Sequence, residues 1–144
     1  MGVIGGLIVL VWAGTLAVYD IRYRRLPDWL TLPAVPAAWV GVILLGHGWA
    51  VVGGAAWFLL CVLPGMLSAR LRAGGGDAKL ALSLGAVAAA AGGVVGLAAT
   101  IAAASAVTLL FALFPTVRSS ALPHGPGMLI ATAAVTGVIN SGVW

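Results

Sequence analysis

Long apolar runs alternate with short polar segments along nearly the whole chain. A helix that crosses a bilayer needs about 20 mostly apolar residues. That length divides the chain into about six candidate spans: residues 2–19, 29–45, 49–68, 78–91, 94–114 and 126–143. The second span carries Pro33 and Pro36, which remove backbone donors and predict a kink near its start. Gly46-His47-Gly48 predicts a turn before the third span. Gly92-Gly93 ends the fourth, which is short and fits a tilted or partly buried helix.

Composition narrows the class. Of the 144 residues, 62% are hydrophobic and only 7% charged, with a mean hydropathy of +1.17. Soluble domains carry about a quarter charged residues. The chain is therefore expected to be an all-α, polytopic membrane helix bundle, with residues 1–144 forming a single domain. The formal charge of +4 and pI of 10.3 do not indicate nucleic acid, because the few basic residues sit between hydrophobic runs. All seven Lys and Arg residues fall in or beside three segments: Arg22 to Asp28, Arg70 to Lys79, and the stretch around Arg118. The intervening turns at His47 and Gly92 hold none. If the spans alternate in direction, the basic segments share one side. The positive-inside rule makes that side cytoplasmic and both termini external, in a cytoplasmic (inner) membrane. The N-terminus lacks a basic n-region and reads as a retained helix rather than a cleaved signal. Cys61, the only cysteine, reads as a small buried hydrophobe.

Small residues dominate the second half, where they let helix backbones approach closely. Gly92 and Gly96 are expected to pack within the bundle. Of the six tryptophans, Trp29, Trp49 and Trp144 sit at span ends and suit the interface. Trp12, Trp39 and Trp57 fall within spans as packing residues.

Chemistry concentrates in the three acidic residues, Asp20, Asp28 and Asp77. A carboxylate at a bilayer edge is costly and usually functional. Asp20 closes the first span and Asp77 opens the fourth, both at the basic face. Two neighbouring carboxylates cannot both ionise cheaply, so the pair holds one shared proton. One member can then deprotonate a water while the other protonates a scissile carbonyl. This chemistry needs no metal or cofactor. Bland roles stay open beside it. Asp77 suits a helix N-cap, and Asp20 could pair with Arg22 or Arg24. Asp28 is expected to cap the second helix. Lys79 could act on Asp77, attract an acidic substrate group, or snorkel to the interface. Gly74, Gly75 and Gly76 would let a substrate backbone approach Asp77. They do not make a phosphate loop, since no Gly-Lys-Ser/Thr follows. His47 and His124 fall on opposite sides and cannot share a metal.

Three segments, in order, resemble the type IV prepilin peptidase family, membrane aspartyl proteases of the GxGD class. They are Asp20-Ile21-Arg22-Tyr23-Arg24-Arg25-Leu26-Pro27-Asp28-Trp29-Leu30-Thr31, Gly74-Gly75-Gly76-Asp77-Ala78-Lys79-Leu80, and Ala121-Leu122-Pro123-His124-Gly125-Pro126-Gly127. The resemblance covers nearly the whole chain. It implies that Asp20 and Asp77 are the catalytic pair. Pro27, Asp28, Gly74, Gly75, Gly76, Lys79, Pro123, Gly125 and Pro126 would support the site or bind substrate. The implied partners are pilin-like precursors, cut at the cytoplasmic face between a basic leader and a hydrophobic helix. Four positions depart from the family pattern: Leu26 for Ile, Asp28 for Asn, and His124 and Gly127 for aromatics. The chain begins at the first catalytic helix and lacks the paired cysteines of many full-length members. Peptidase activity without S-adenosylmethionine-dependent methylation is expected, and the compact form resembles peptidases that serve Flp/Tad-type pili.

Two other classes compete. One is a small transporter or assembly subunit whose aspartates bind cations or stabilise the bundle. The other is a GxGD protease that cuts ordinary transmembrane helices within the bilayer.

Overall fold

The computed structural model describes residues 3–68, 74–113 and 123–142. Arg70, Arg72, Arg118, Ala121, Leu122 and Trp144 lie outside the described residues. The elements are α1 (Val3–Tyr23), α2 (Asp28–Leu44), α3 (Val51–Leu67), α4 (Gly75–Ala112) and α5 (Gly125–Asn140). A 3-10 turn, Gly48–Ala50, leads into α3.

α4 is 38 residues long. Drawn straight it would reach about 57 Å, nearly twice the hydrocarbon thickness of about 30 Å. It is not straight. Gly92 and Gly93 leave helical geometry, and Gly93 takes φ 63° and ψ −151°, a region open essentially to glycine alone. A Cβ placed on Gly96 would lie 3.0 Å from the Ala88 carbonyl oxygen. Eight residues of continuous helix would separate those positions by about 12 Å. The chain therefore doubles back at Gly92–Gly93, and the two arms, 75–91 and 94–112, correspond to the fourth and fifth expected spans. With them the described residues form six α-helical segments.

Several boundaries shift. α1 continues to Tyr23 and carries Asp20 inside its last turns, where the sequence suggested a polar loop after Tyr19. The fourth span begins at Gly75, three residues earlier than expected, so Asp77 is inside its first turn. α2 remains helical through Pro33 and Pro36, where neighbouring helices and side chains in a bundle can satisfy the freed carbonyls. α2 and α5, at 17 and 16 residues, reach only about 25 Å, which a locally thinned bilayer accommodates.

α4 is the hub, packing most extensively against α5 and α3 and then α2, while α1 packs against α5. The main core joins Leu16, Trp57, Leu80, Ala81, Leu84, Ala104, Met128 and Leu129. Small residues set the closest crossings. A Cβ on Gly85 would sit 2.8 Å from the Gly53 carbonyl oxygen, and one on Gly54 would collide with the Leu82 carbonyl. Ile139 nests against Gly92 and Gly96, so this pair packs inside the bundle as expected. Trp57 is buried. Trp12 donates its indole N–H to the Leu30 carbonyl and Trp39 to that of Leu82, each at 3.0 Å. Trp29 and Trp49 are exposed. Large apolar side chains cover the outside, with Leu67 88% and Val94 78% exposed. So much contiguous apolar surface is stable only against lipid. The chain is a polytopic helical membrane protein.

Candidate active site

The site lies where four chain segments end or begin near one another. α1 delivers Asp20 three residues before its end. The connection to α2 delivers Arg24, Arg25 and Leu26. The start of α4 delivers Gly74, Gly75, Gly76 and Asp77, and Pro123 comes from just before α5. Together these residues line a cavity of about 260 Å³. Asp20 and Asp77 share its wall and are close enough to interact electrostatically. This is the pair singled out in the sequence, brought together from 57 residues apart in the chain (77 minus 20).

Asp20 is buried, only 5% exposed. Its Oδ2 accepts the Gly125 backbone N–H at 3.0 Å. That N–H is one of the donors a helix leaves unpaired at its N-terminus, a place that favours negative charge. Pro126 follows within the first turn of α5, where a missing N–H costs nothing. Position 125 also has no room for a side chain. A Cβ there would lie 2.9 Å from Asp20 Oδ2 and 3.3 Å from both Leu26 methyls. Gly125→Ala is therefore expected to displace the Asp20 carboxylate and lower by about tenfold or more any turnover that depends on it, with the fold kept. Turnover measured beside a thermal unfolding curve checks this, and a wild-type rate would contradict it.

The three glycines before Asp77 do different things. Gly76 backs onto Leu26, whose Cβ would be 2.6 Å from an added methyl. Gly74 faces Asp77 itself, with 3.0 Å between a Cβ there and Oδ2. Gly75 has open space around it. Leu26, the mild departure from the motif, is buried between Gly76 and Gly125 and spaces them.

Several sequence expectations need correction. Gly74, not Asp77, is the N-cap residue of α4. Pro27 is the N-cap residue of α2, and Asp28 is its first helical residue, with no side-chain capping bond. Asp28 instead pairs with Lys79 at 2.6 Å, tying α2 to the first arm of α4. Lys79 is thus engaged by Asp28. The pair is largely exposed, 34% for Lys79 and 60% for Asp28, so it contributes about 0–1 kcal/mol. Pro27, Asp28, Lys79, Gly125 and Pro126 stand around the cavity residues rather than among them. Arg24 and Arg25, read from sequence as topology markers, do line the cavity. Arg24 has a left-handed φ of 52° and acts electrostatically on Asp20.

Thr108 was missed in the sequence. Its hydroxyl lies 2.7 Å from His124 Nδ1. A hydroxyl inside an apolar span was the available signal. Burial holds the His124 imidazole below the usual histidine range. The folded protein therefore binds that proton less readily than the unfolded chain. As pH falls through the unfolded value of about 6.5, the unfolded state gains the proton first and stability drops. Carboxylate protonation acts in the opposite sense, so the readout is the difference: between about pH 7.5 and 5 thermal stability should fall more steeply, or rise less, with decreasing pH in wild type than in His124→Phe. An unchanged slope would remove His124 from the account.

A polytopic helical membrane protein with two carboxylates on one cavity at converging helix ends is the class that fold and site define. The comparisons are specific. The type IV leader peptidase family matches residues 7–139, and the chain belongs to that family. A relative, the prepilin leader peptidase/N-methyltransferase of Neisseria gonorrhoeae, is 34% identical over 93 aligned positions, covering 58% of this chain and 32% of the relative. The chain thus spans about a third of that relative's length. No solved structure matches the chain.

Proposed function

We propose that this protein is an aspartyl endopeptidase that removes leader peptides from type IV pilin-like precursors, including those of Flp/Tad type. The observation that carries the reading is the meeting of Asp20 and Asp77 on one cavity. Family membership and the leader peptidase relative support the substrate class.

The chemistry follows from a dyad sharing one proton. The ionised carboxylate takes a proton from a water held between the two. The water oxygen bonds to the scissile carbonyl carbon as the other carboxyl protonates the carbonyl oxygen. The tetrahedral diol then collapses: the newly protonated carboxyl gives its proton to the leaving nitrogen, the C–N bond breaks, and a diol hydroxyl returns a proton to the other carboxylate, so the dyad again holds one proton. The pair titrates as a unit, so neither residue alone owns the proton. The Gly125 N–H fixes Asp20 before substrate arrives, which lowers the cost of orientation.

The substrate's hydrophobic helix would lie in lipid beside the bundle, its leader reaching the cavity from the cytoplasm. Preference for a basic leader does not come from the cavity's net charge, because Arg24 and Arg25 line it with the two aspartates. Such preference would have to come from local pairing with Asp20 or Asp77. The positions of Arg22, Arg24 and Arg25 support a cytoplasmic-facing site in the inner membrane.

The test is co-expression with tagged pilin precursors that carry a basic leader. A size shift with wild type that disappears in Asp20→Asn and Asp77→Asn is expected. Cleavage that persists in both variants would remove the dyad. A well-folded wild type that cleaves no precursor would favour the transporter reading.

A further inference from the structure

We propose that His124 and Thr108 form a clamp between α5 and the second arm of α4 that positions the Gly125 N–H on Asp20, making both of them positioning residues for the peptidase site. The proposal rests on the reading of that site as a peptidase for its consequence, though not for its geometry.

The chain of contacts is short. Thr108 Oγ1 lies 2.9 Å from the Ala104 carbonyl and 2.7 Å from His124 Nδ1. A threonine has one hydroxyl proton. With that proton on the Ala104 carbonyl, His124 carries its ring proton on Nδ1 and donates to Thr108. The His124 carbonyl carbon and the Gly125 N–H belong to one planar peptide unit. The carbonyl oxygen of that unit accepts the Met128 N–H at 3.1 Å, and its N–H donates to Asp20 Oδ2 at 3.0 Å. Holding the imidazole therefore limits rotation of the unit that orients Asp20. α5 must also come close enough for the bond to form. A Cβ at position 127 would lie 2.7 Å from Thr108 Oγ1 and 2.9 Å from the Ala104 carbonyl, so only glycine there leaves the threonine in reach. His124 and Gly127, two positions where the third motif departs from its family pattern, thus meet on one hydroxyl.

Nuclear magnetic resonance of the full chain in detergent micelles tests this without any substrate. His-Gly peptide bonds occur at 47–48 and 124–125. His47 is exposed, and a His47→Gln background leaves one such bond. Histidine labelled at its carbonyl carbon and glycine labelled at nitrogen then give a single signal, the Gly125 amide. In Thr108→Val, and in His124→Phe with the carbonyl label moved to phenylalanine, which precedes no other glycine in the chain, that amide is expected to shift upfield and exchange about tenfold faster. Thr108→Ser should keep the wild-type signal. Thr100→Val is the control, since the Thr100 hydroxyl bonds within its own helix, to the Gly96 carbonyl. A wild-type Gly125 signal in both clamp variants would overturn the proposal, as would an equal change in the Thr100 control. With a precursor that wild type cleaves, Thr108→Val should lower kcat about tenfold with KM unchanged, and Thr108→Ser should restore it. If Asp20→Asn still cleaves, the peptidase reading of the dyad fails, while the amide signal decides the clamp on its own.

Discussion

Asp20→Asn and Asp77→Asn are each expected to lower leader cleavage by about a thousandfold, with the double variant no worse than either single one. A positioned acid or base contributes about 10²–10⁴ in rate, and residues that act as a unit lose nearly everything with the first deletion. Asparagine keeps the size of aspartate and an oxygen that can accept the Gly125 N–H now bound by Asp20, so the fold should survive. Initial rates on a tagged precursor, beside an unfolding curve for each variant, separate chemistry from folding. Functional sites often hold groups that cost stability, and the variants should unfold no earlier than wild type. A structural or ion-binding role predicts the reverse, with activity retained and stability lost. Independent losses that multiply in the double variant would also contradict the dyad.

Gly54→Ala is expected to destabilise the bundle by about 1–3 kcal/mol, the range for forcing atoms into a packed interior. The new methyl would collide with the Leu82 carbonyl, a backbone group that cannot rotate aside. From the other side, a Cβ on Gly85 would already be 2.9 Å from the Gly54 Cα, so the two backbones have no slack. The same Leu82 carbonyl accepts the Trp39 indole N–H, so movement there also strains the contact between α2 and α4. In a bilayer this matters more than apolar burial, because helices associate through close packing. Thermal unfolding in detergent measures it. Gly14→Ala serves as the control, since nothing lies within 4 Å of a Cβ there, and alanine is the better helix former. A midpoint for Gly54→Ala equal to that control would refute the crossing.

Some of the architecture was legible because hydrophobic length is a physical requirement of the bilayer. Spans, the Gly92–Gly93 break and the interior roles of Trp12, Trp39 and Trp57 follow from apolar runs and their interruptions. The ends of helices were less legible. Asp20 and Asp77 fall inside first or last turns because a polar side chain at a helix end does not stop the backbone. Asp28 illustrates the same limit: its type suits a cap, yet Lys79, 51 residues away, supplies the partner.

The sequence by itself determined a membrane helix bundle, its approximate spans, and Asp20 and Asp77 as the carboxylates to watch, since charges in so apolar a chain are few and costly. Only the tertiary structure decided that the Gly125 N–H bonds Asp20, that Leu26 spaces Gly76 from Gly125, and that Thr108 meets His124. The physical reason is range. Hydrophobic period and charge act along a few neighbouring residues and are written locally. Hydrogen bonds and the clearance of a single methyl depend on which backbones meet, and that is set by the packing of the whole bundle.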